Sequence, residues 1–318
     1  MKQVKTVAIV GTGVIGASWT AFFLHKGFLV HAFDPAVDAE ANLKTRVQAF
    51  LLDLIELDQQ QNEEPSKIIT DTLKNLIFFN CLSDAVKNVD FIQENGPEKI
   101  ELKKDLYKRI TENCPKDTII ASSSSGLKIS DIQNDCLYPE RIVLGHPFNP
   151  PHLLPLVEII GGEKTEQSNI NDVFDFYQSL GKKPILIKKE VKGHVANRLQ
   201  SAIWREAFYL VSEGVCSAED IDIAISHGPG LRWAILGPYL NMQLANQNGF
   251  KAAMHHLGEP MSEWWADMKP YTLTEEKIDF LDEETQKILN KLADKNIQPL
   301  RDKALLDILK IKKTLQLL

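Results

Sequence analysis

Four consecutive apolar residues, Val7–Val10, run into Gly11-Thr12-Gly13-Val14-Ile15-Gly16 and then into an apolar pattern at helical spacing. A short apolar run bounded by glycine predicts a buried strand, and the pattern after it predicts a helix starting inside the glycine turn. Gly27 caps that helix, and Phe28–Phe33 predicts a second strand. Helical spacing returns over Ala39–Leu57, a polar stretch fills Gln59–Ser66, and Lys67–Leu73 predicts another helix. Strand character recurs at Leu76–Phe79, Asp90–Gln93, Thr118–Ala121, Ile142–His146, Leu156–Ile160 and Leu180–Ile187, with helical patterns at Ile100–Cys114 and Ser168–Ser179. Such alternation predicts an α/β fold built on a doubly wound, mostly parallel sheet.

From Val195 onward only helical patterns remain, over Val195–Glu213, Ala218–His227, Gly237–Leu257, Glu283–Lys295 and Arg301–Leu317. The change places a boundary near Lys188–Lys192, between a nucleotide-binding domain, residues 1–189, and an all-helical C-terminal domain, residues 190–318. Ala196, Leu199, Ile203 and Ala207 form one stripe, read as core or as the seam of a homodimer.

The glycine run adds chemistry to this pattern. Gly11 permits a tight turn, Gly13 leaves room for a pyrophosphate, and Gly16 lets the helix pack closely on the strand. Thr12, Val14 and Ile15 complete a turn whose free N–H groups favour negative charge. Asp34 falls at the spacing of about 20 residues where a carboxylate binds ribose hydroxyls and repels a 2′-phosphate. Together these features predict a Rossmann-like domain holding NAD rather than NADP.

A chain of 318 residues with a net charge of −7 accommodates two cores and lacks the basic field that nucleic acid or an anionic membrane surface requires. No apolar stretch approaches the roughly 20 residues that span a bilayer, and the N-terminus carries no cleavable signal pattern, so a cytoplasmic protein is expected. Cys81, Cys114, Cys136 and Cys216 are scattered, and His255 and His256 are adjacent, so neither a disulfide framework nor a metal site is expected.

Ligands of an open parallel sheet sit beyond the carboxyl ends of its strands, and three loops there carry candidate chemistry. Ser122-Ser123-Ser124-Ser125-Gly126 follows one strand; alone, it reads first as a polar turn with a helix cap. His146 ends another and is followed by Pro147-Phe148-Asn149-Pro150-Pro151, where prolines stiffen the backbone. Glu158 lies among apolar neighbours; a buried carboxylate needs a partner, and His146 is the economical one. Hydride transfer from an alcohol to nicotinamide needs a base for the hydroxyl proton, and a histidine steadied by a carboxylate suits that near neutrality.

The motifs GTGVIG, ASSSSGLKI, GHPFNPPHLLPLVEII, KGHVANRLQSAIWREAF and, less strictly, SAEDIDIAISHGPGLRWAILGP resemble, in order and spacing, those of the 3-hydroxyacyl-CoA dehydrogenase family. The resemblance implies that His146 is the catalytic base with Glu158 as its partner, and that Ser125 and Asn197 hydrogen-bond the reacting oxygen. It further implies that Glu98, Lys103, Ser125 and Asn149 line the NAD site. Asn197 would reach the cleft from the start of the helical domain, so closure is expected to assemble the site.

The stretch Gly228–Pro238 departs from that of the acyl-CoA members and most resembles that of members oxidising L-carnitine, implying conversion of L-carnitine to 3-dehydrocarnitine. Arg232 offers a fork for a free carboxylate beside the aromatic face of Trp233, although by chemistry alone a surface ion pair reads as well. Phe148, Trp233, Tyr239, Trp264 and Trp265 are candidates to face a trimethylammonium group, against the commoner structural role of such residues. L-Gulonate, 3-hydroxybutyryl-CoA and a non-catalytic, crystallin-like NAD-binding role are the alternatives.

Overall fold

The computed structural model describes residues 3–58, 64–292 and 295–315. The chain divides into two compact units, Met1–Arg198 and Leu199–Leu318, later than the boundary read near Lys188–Lys192.

Unit 1 alternates as its apolar runs demand: β1 Thr6–Val10, α1 Val14–His25, β2 Leu29–Phe33, α2 Ala39–Leu57, α3 Pro65–Leu73, β3 Leu76–Phe79, α4 Leu82–Val86 and β4 Phe91–Glu94. It continues with α5 Ile100–Asn113, β5 Ile119–Ser122, α6 Ile129–Ile132, β6 Ile142–Pro147, β7 Leu156–Gly161, α7 Gln167–Ser179 and β8 Lys183–Leu186. The eight strands form one sheet in the order β3-β2-β1-β4-β5-β6-β7-β8. Every neighbouring pair is parallel except β6 and β7. The strand order reverses direction between β1 and β4, which leaves a crevice at their carboxyl ends.

Helices cover both faces, so the strands are apolar throughout rather than alternating. Val7 and Ile9 of β1 pack with Trp19, Phe23, Phe176 and Tyr177 on one face, while Ala8 and Val10 pack with Tyr107 and Ile110 on the other. Trp19 is fully buried and stacks on Phe23 with ring centroids 5.3 Å apart. Truncating such a ring to alanine costs about 3–5 kcal/mol. The helices α4 and α6, each under two turns, escaped the sequence pattern because such lengths show no period. Gly181 at φ +88° turns the chain after α7, so β8 starts at Lys183 rather than at Leu180. Of the polar Gln59–Ser66 stretch, residues 59–63 lie outside the described residues.

In the second half, α8 covers Ala196–Ser212 and is followed by α9 Ala218–Ser226, α10 Pro229–Trp233, α11 Pro238–Gln243, α12 Gly249–Asp267, α13 Glu275–Lys291 and α14 Ile297–Leu315. The helix expected over Gly237–Leu257 is two: Gly249, at φ +80°, turns the chain, and the Gln243 side chain accepts from Phe250 N at 2.8 Å. The one expected from Glu283 starts at Glu275, because Thr274 Oγ1 accepts from Lys277 N and caps it. The expected extensions to Lys295 and Leu317 cross residues outside the described ones. Leu199 and Ile203 of the predicted stripe are 59% and 38% exposed, so it faces outward instead of into a core. Among the described residues no helix is long and apolar enough to cross a membrane.

Candidate active site

The turn between β1 and α1 is shaped by what its glycines exclude. A Cβ on Gly11, which sits at φ +88°, would lie 2.8 Å from the Asn95 carbonyl, and one on Gly16 would lie 1.9 Å from Gly11 O. Gly13, by contrast, faces open space, with nothing within 4 Å of where its Cβ would be. No side chain caps α1, so its first-turn N–H groups are available to an anion. Asp34 follows β2 directly; its Oδ2 accepts from Thr12 N at 2.7 Å and its Oδ1 from Ala36 N at 2.9 Å. A cavity of about 630 Å³ opens beside it, lined by Asp34, Ala36, Asp38, Lys44 and Phe78 among others. A pyrophosphate cradle with a carboxylate at the next strand end fits NAD.

The serine loop leaves β5 at Ser122 and is held by Glu98. Oε1 of Glu98 accepts from Ser124 Oγ at 2.6 Å and from the amides of Ser125, Gly126 and Leu127 at 3.0, 2.9 and 3.3 Å. Burial would raise the Glu98 carboxyl, but these bonds and Lys103 outweigh it and hold it below the ordinary value. Ser125 itself is exposed. Beneath the loop, Lys103 is 1% exposed and donates to both oxygens of Glu94 at 2.9 Å and to Gly96 O at 3.2 Å. Its ammonium is thus committed to the chain, 4.0 Å from Glu98 Oε2.

His146 and Glu158 stand directly opposite one another because β6 and β7 are antiparallel and their register pairs these two residues. His146 Nδ1 lies 2.7 Å from Glu158 Oε2. A carboxylate only accepts, so Nδ1 carries the proton and the neutral ring keeps an acceptor lone pair on Nε2. Glu158 is fully buried, and its Oε1 accepts from Val195 N and Ala196 N at 2.9 Å each. Burial pushes its carboxyl up, yet the His146 bond and those two amides prevail and keep it ionised below its usual range.

The start of α8 closes the arrangement within unit 1. Asn197 Nδ2 donates to Ser125 O at 3.1 Å, and His194, 3% exposed, lies 3.2 Å through Nε2 from Ser124 O. Asn149 is exposed at the head of the proline loop. That loop is anchored by His152, whose backbone N–H donates to Ser18 Oγ at 2.8 Å while its ring contacts Ser18 Oγ at 2.8 Å and Asp53 at 3.1 Å. This Ser-His-Asp set is no exposed nucleophile, since Ser18 is fully buried. Glu94, His152 and His194 were missed by sequence reasoning; for His194 the signal was its place after Gly193 and just ahead of a helix.

In unit 2, Arg232 and Trp233 end α10 and are both exposed. Arg232 lines a cavity of about 470 Å³ with Leu231, Ile235, Leu236, Asn241 and Leu244 among others. Tyr239 stacks on Phe250 with centroids 5.9 Å apart, and Trp264 and Trp265 are each 59% exposed on α12. Phe148 belongs to unit 1, edge-on to His146 at 5.8 Å. Within unit 1 the structure therefore groups Ser125, Asn197, Glu98, His146 and Glu158.

Comparison with known proteins finds relatives over most of the chain. Residues 6–191 match the model of the 3-hydroxyacyl-CoA dehydrogenase NAD binding domain, and residues 193–284 that of the 3-hydroxyacyl-CoA dehydrogenase C-terminal domain. The protein named L-carnitine dehydrogenase in Streptomyces coelicolor is 42% identical over 280 residues, 87% of this chain and 85% of its own. One named 3-hydroxyacyl-CoA dehydrogenase in Gibberella moniliformis is 37% identical over 98% of this chain and 96% of its own. Among solved structures, 5-formyl-3-hydroxy-2-methylpyridine 4-carboxylic acid 5-dehydrogenase, described as an NAD+ dependent dismutase, superposes with a TM-score of 0.80 at 29% identity, covering 98% of this chain and 99% of that one.

Proposed function

Because the chain belongs to the 3-hydroxyacyl-CoA dehydrogenase family and is an NAD-dependent oxidoreductase acting on CH–OH groups, we propose that its substrate is a free 3-hydroxy acid, L-carnitine, converted to 3-dehydrocarnitine. The observation that carries this reading is the similarity, over most of the chain, to bacterial proteins named L-carnitine dehydrogenase.

The nicotinamide ring, when bound, supplies the hydride acceptor. His146 Nε2 takes the hydroxyl proton, and its Nδ1–H donates to Glu158, which stabilises the imidazolium that forms. Ser125 and Asn197 hold the oxygen as it becomes a carbonyl, and the glycine turn, Asp34, Glu98, Lys103 and Asn149 serve the cofactor. Lys103 acts there through Glu94 and Gly96, to which its donors go. By its chemistry Arg232 is assigned the substrate carboxylate, with Trp233 beside it. Carnitine offers that carboxylate, whereas an acyl-CoA thioester does not.

The same reading divides the chain into a cofactor domain, residues 1–189, and a substrate and dimerisation domain, residues 190–318. Leu199, Trp204, Leu231 and Leu244 are 59%, 50%, 61% and 72% exposed, which suits burial against a second copy in a twofold homodimer. Free thiols at Cys81, Cys114, Cys136 and Cys216 suit the cytoplasm.

The test is NADH formation with L-carnitine, L-gulonate and 3-hydroxybutyryl-CoA, each alone. Saturable turnover of L-carnitine without CoA is expected. Preference for the thioester or for gulonate would reassign the substrate, and no NADH with any acid would return the chain to a non-catalytic, crystallin-like role.

A further inference from the structure

His194 has no part in the chemistry above, yet it stands where the pieces of the site meet. It follows Gly193 at φ +74° and itself adopts φ +50°, a left-handed conformation uncommon outside glycine. This double turn directs the amides of Val195 and Ala196 at Glu158. The ring runs the other way, with Nε2 3.2 Å from the Ser124 carbonyl oxygen and its centroid 5.4 Å from that of His146. A carbonyl oxygen only accepts, so Nε2 carries the proton. Residues 194–197 therefore touch both halves of the site: His194 and Asn197 hold the serine-loop carbonyls, and Val195 and Ala196 hold the carboxylate of the pair.

Resting on the hydroxy-acid reading above, we propose that His194 is a positioning residue: as a neutral imidazole it holds the serine loop against the His146–Glu158 pair, so that Ser125 and His146 meet one substrate oxygen. Neutrality matters because His146 gains positive charge as it takes the hydroxyl proton, and a second cation beside it would oppose that step. The surroundings favour the neutral ring. Burial first, and the His146 charge second, hold His194 below the ordinary histidine value against the Ser124 bond, Glu158 on β7 and Glu98 ahead of α5. Protonation at Nδ1 leaves the Ser124 bond intact and adds only the charge.

Two variants separate the bond from the charge. His194→Gln keeps an N–H at similar reach and cannot become cationic, whereas His194→Phe keeps a ring and loses the donor. With whichever hydroxy acid the panel identifies, kcat is expected to fall in the order wild type, His194→Gln, His194→Phe, the last by roughly 10- to 100-fold. The KM for NAD should move far less, since the glycine turn is untouched. At its low end the acid limb of the wild-type kcat profile should be steeper than that of His194→Gln, which has one imidazole fewer to charge. Nitrogen-15 NMR of labelled histidines reads the same claim without turnover: the signal lost in His194→Gln should report an Nε2–H neutral ring at neutral pH. It also carries the test should His194→Phe not fold. Wild-type turnover in His194→Phe, matching acid limbs, or an Nδ1–H ring would each overturn the proposal. Failure of every hydroxy acid would instead defeat the functional reading, with the NMR result still deciding on His194.

Discussion

The two units handle their side chains differently. In unit 1 the polar groups around the site end on partners: Glu98 on the serine loop, Lys103 on Glu94, Glu158 on His146 and two amides. In unit 2 the buried apolar side chains among the described residues are Val211, Ala253 and Leu306, while Trp204, Leu231, Leu244, Trp264 and Trp265 stand at least half exposed. A site whose polar groups are held in this way can keep reacting groups to within the tolerance that catalysis demands. Large apolar side chains left outside are what the proposed twofold homodimer would cover.

The sharpest way to break this comparison is His146→Gln. If unit 1 carries the chemistry, turnover should fall by roughly 10²- to 10⁴-fold, with NAD affinity little changed because the glycine turn and Asp34 are intact. Equal loss of turnover and NAD binding would assign His146 to folding. In unit 2 the counterpart is Leu199→Glu with Ile203→Glu. Charges on a face that pairs with a second copy should weaken association by at least about 2 kcal/mol, roughly 30-fold, read by sedimentation at low concentration. An unchanged mass would remove that face from any interface.

Arg232→Met probes the division of labour at smaller scale. Loss of a guanidinium–carboxylate pair should raise the KM for L-carnitine by roughly 10-fold and leave kcat and the KM for NAD near wild type. A kcat loss with unchanged KM would move Arg232 away from ground-state recognition.

The same contrast explains what the sequence revealed. The run Val7–Val10, the glycines at 11, 13 and 16, and Asp34 each obey a local constraint of strand, turn or strand end, so they could be read without any fold. His146 and Glu158 could be paired because an apolar strand gives a buried acid few partners. The antiparallel register that sets them opposite was not visible, since it depends on the turn of the proline loop. His194 went unnoticed because its role rests on a contact with Ser124, 70 positions away, and Glu94 because its partner Lys103 lies on the next helix, where no shared period links the two. In unit 2 helix boundaries slipped, at Gly249 and Thr274 above all. Apolar positions that face outward give a periodicity no core pins to a register, and caps set the ends instead.

The smallest effect concerns how unit 1 anchors the proline loop. Lys182 is 3% exposed; its ammonium donates to Pro151 O and to Leu154 O, and lies over the rings of Phe22 and Trp19 at 4.0 and 5.1 Å. Burial, with the Lys26 charge second, lowers it to about 7. Below that pH both folded and unfolded chains hold the proton, and the cost of burying it is fully felt. Between about 7 and the ordinary lysine value near 10.4 only the unfolded chain holds it, so stability rises with pH through this window. Lys182→Met has no proton to lose there, although it leaves two carbonyls without their donor. The stability of the wild type relative to Lys182→Met should therefore increase by about 1–2 kcal/mol from about pH 7 to 8.5 and stay flat below, measured by urea unfolding at each pH. A difference that does not change with pH would mean the lysine keeps its charge inside the fold, held by the two carbonyls and the aromatic faces more strongly than burial opposes it.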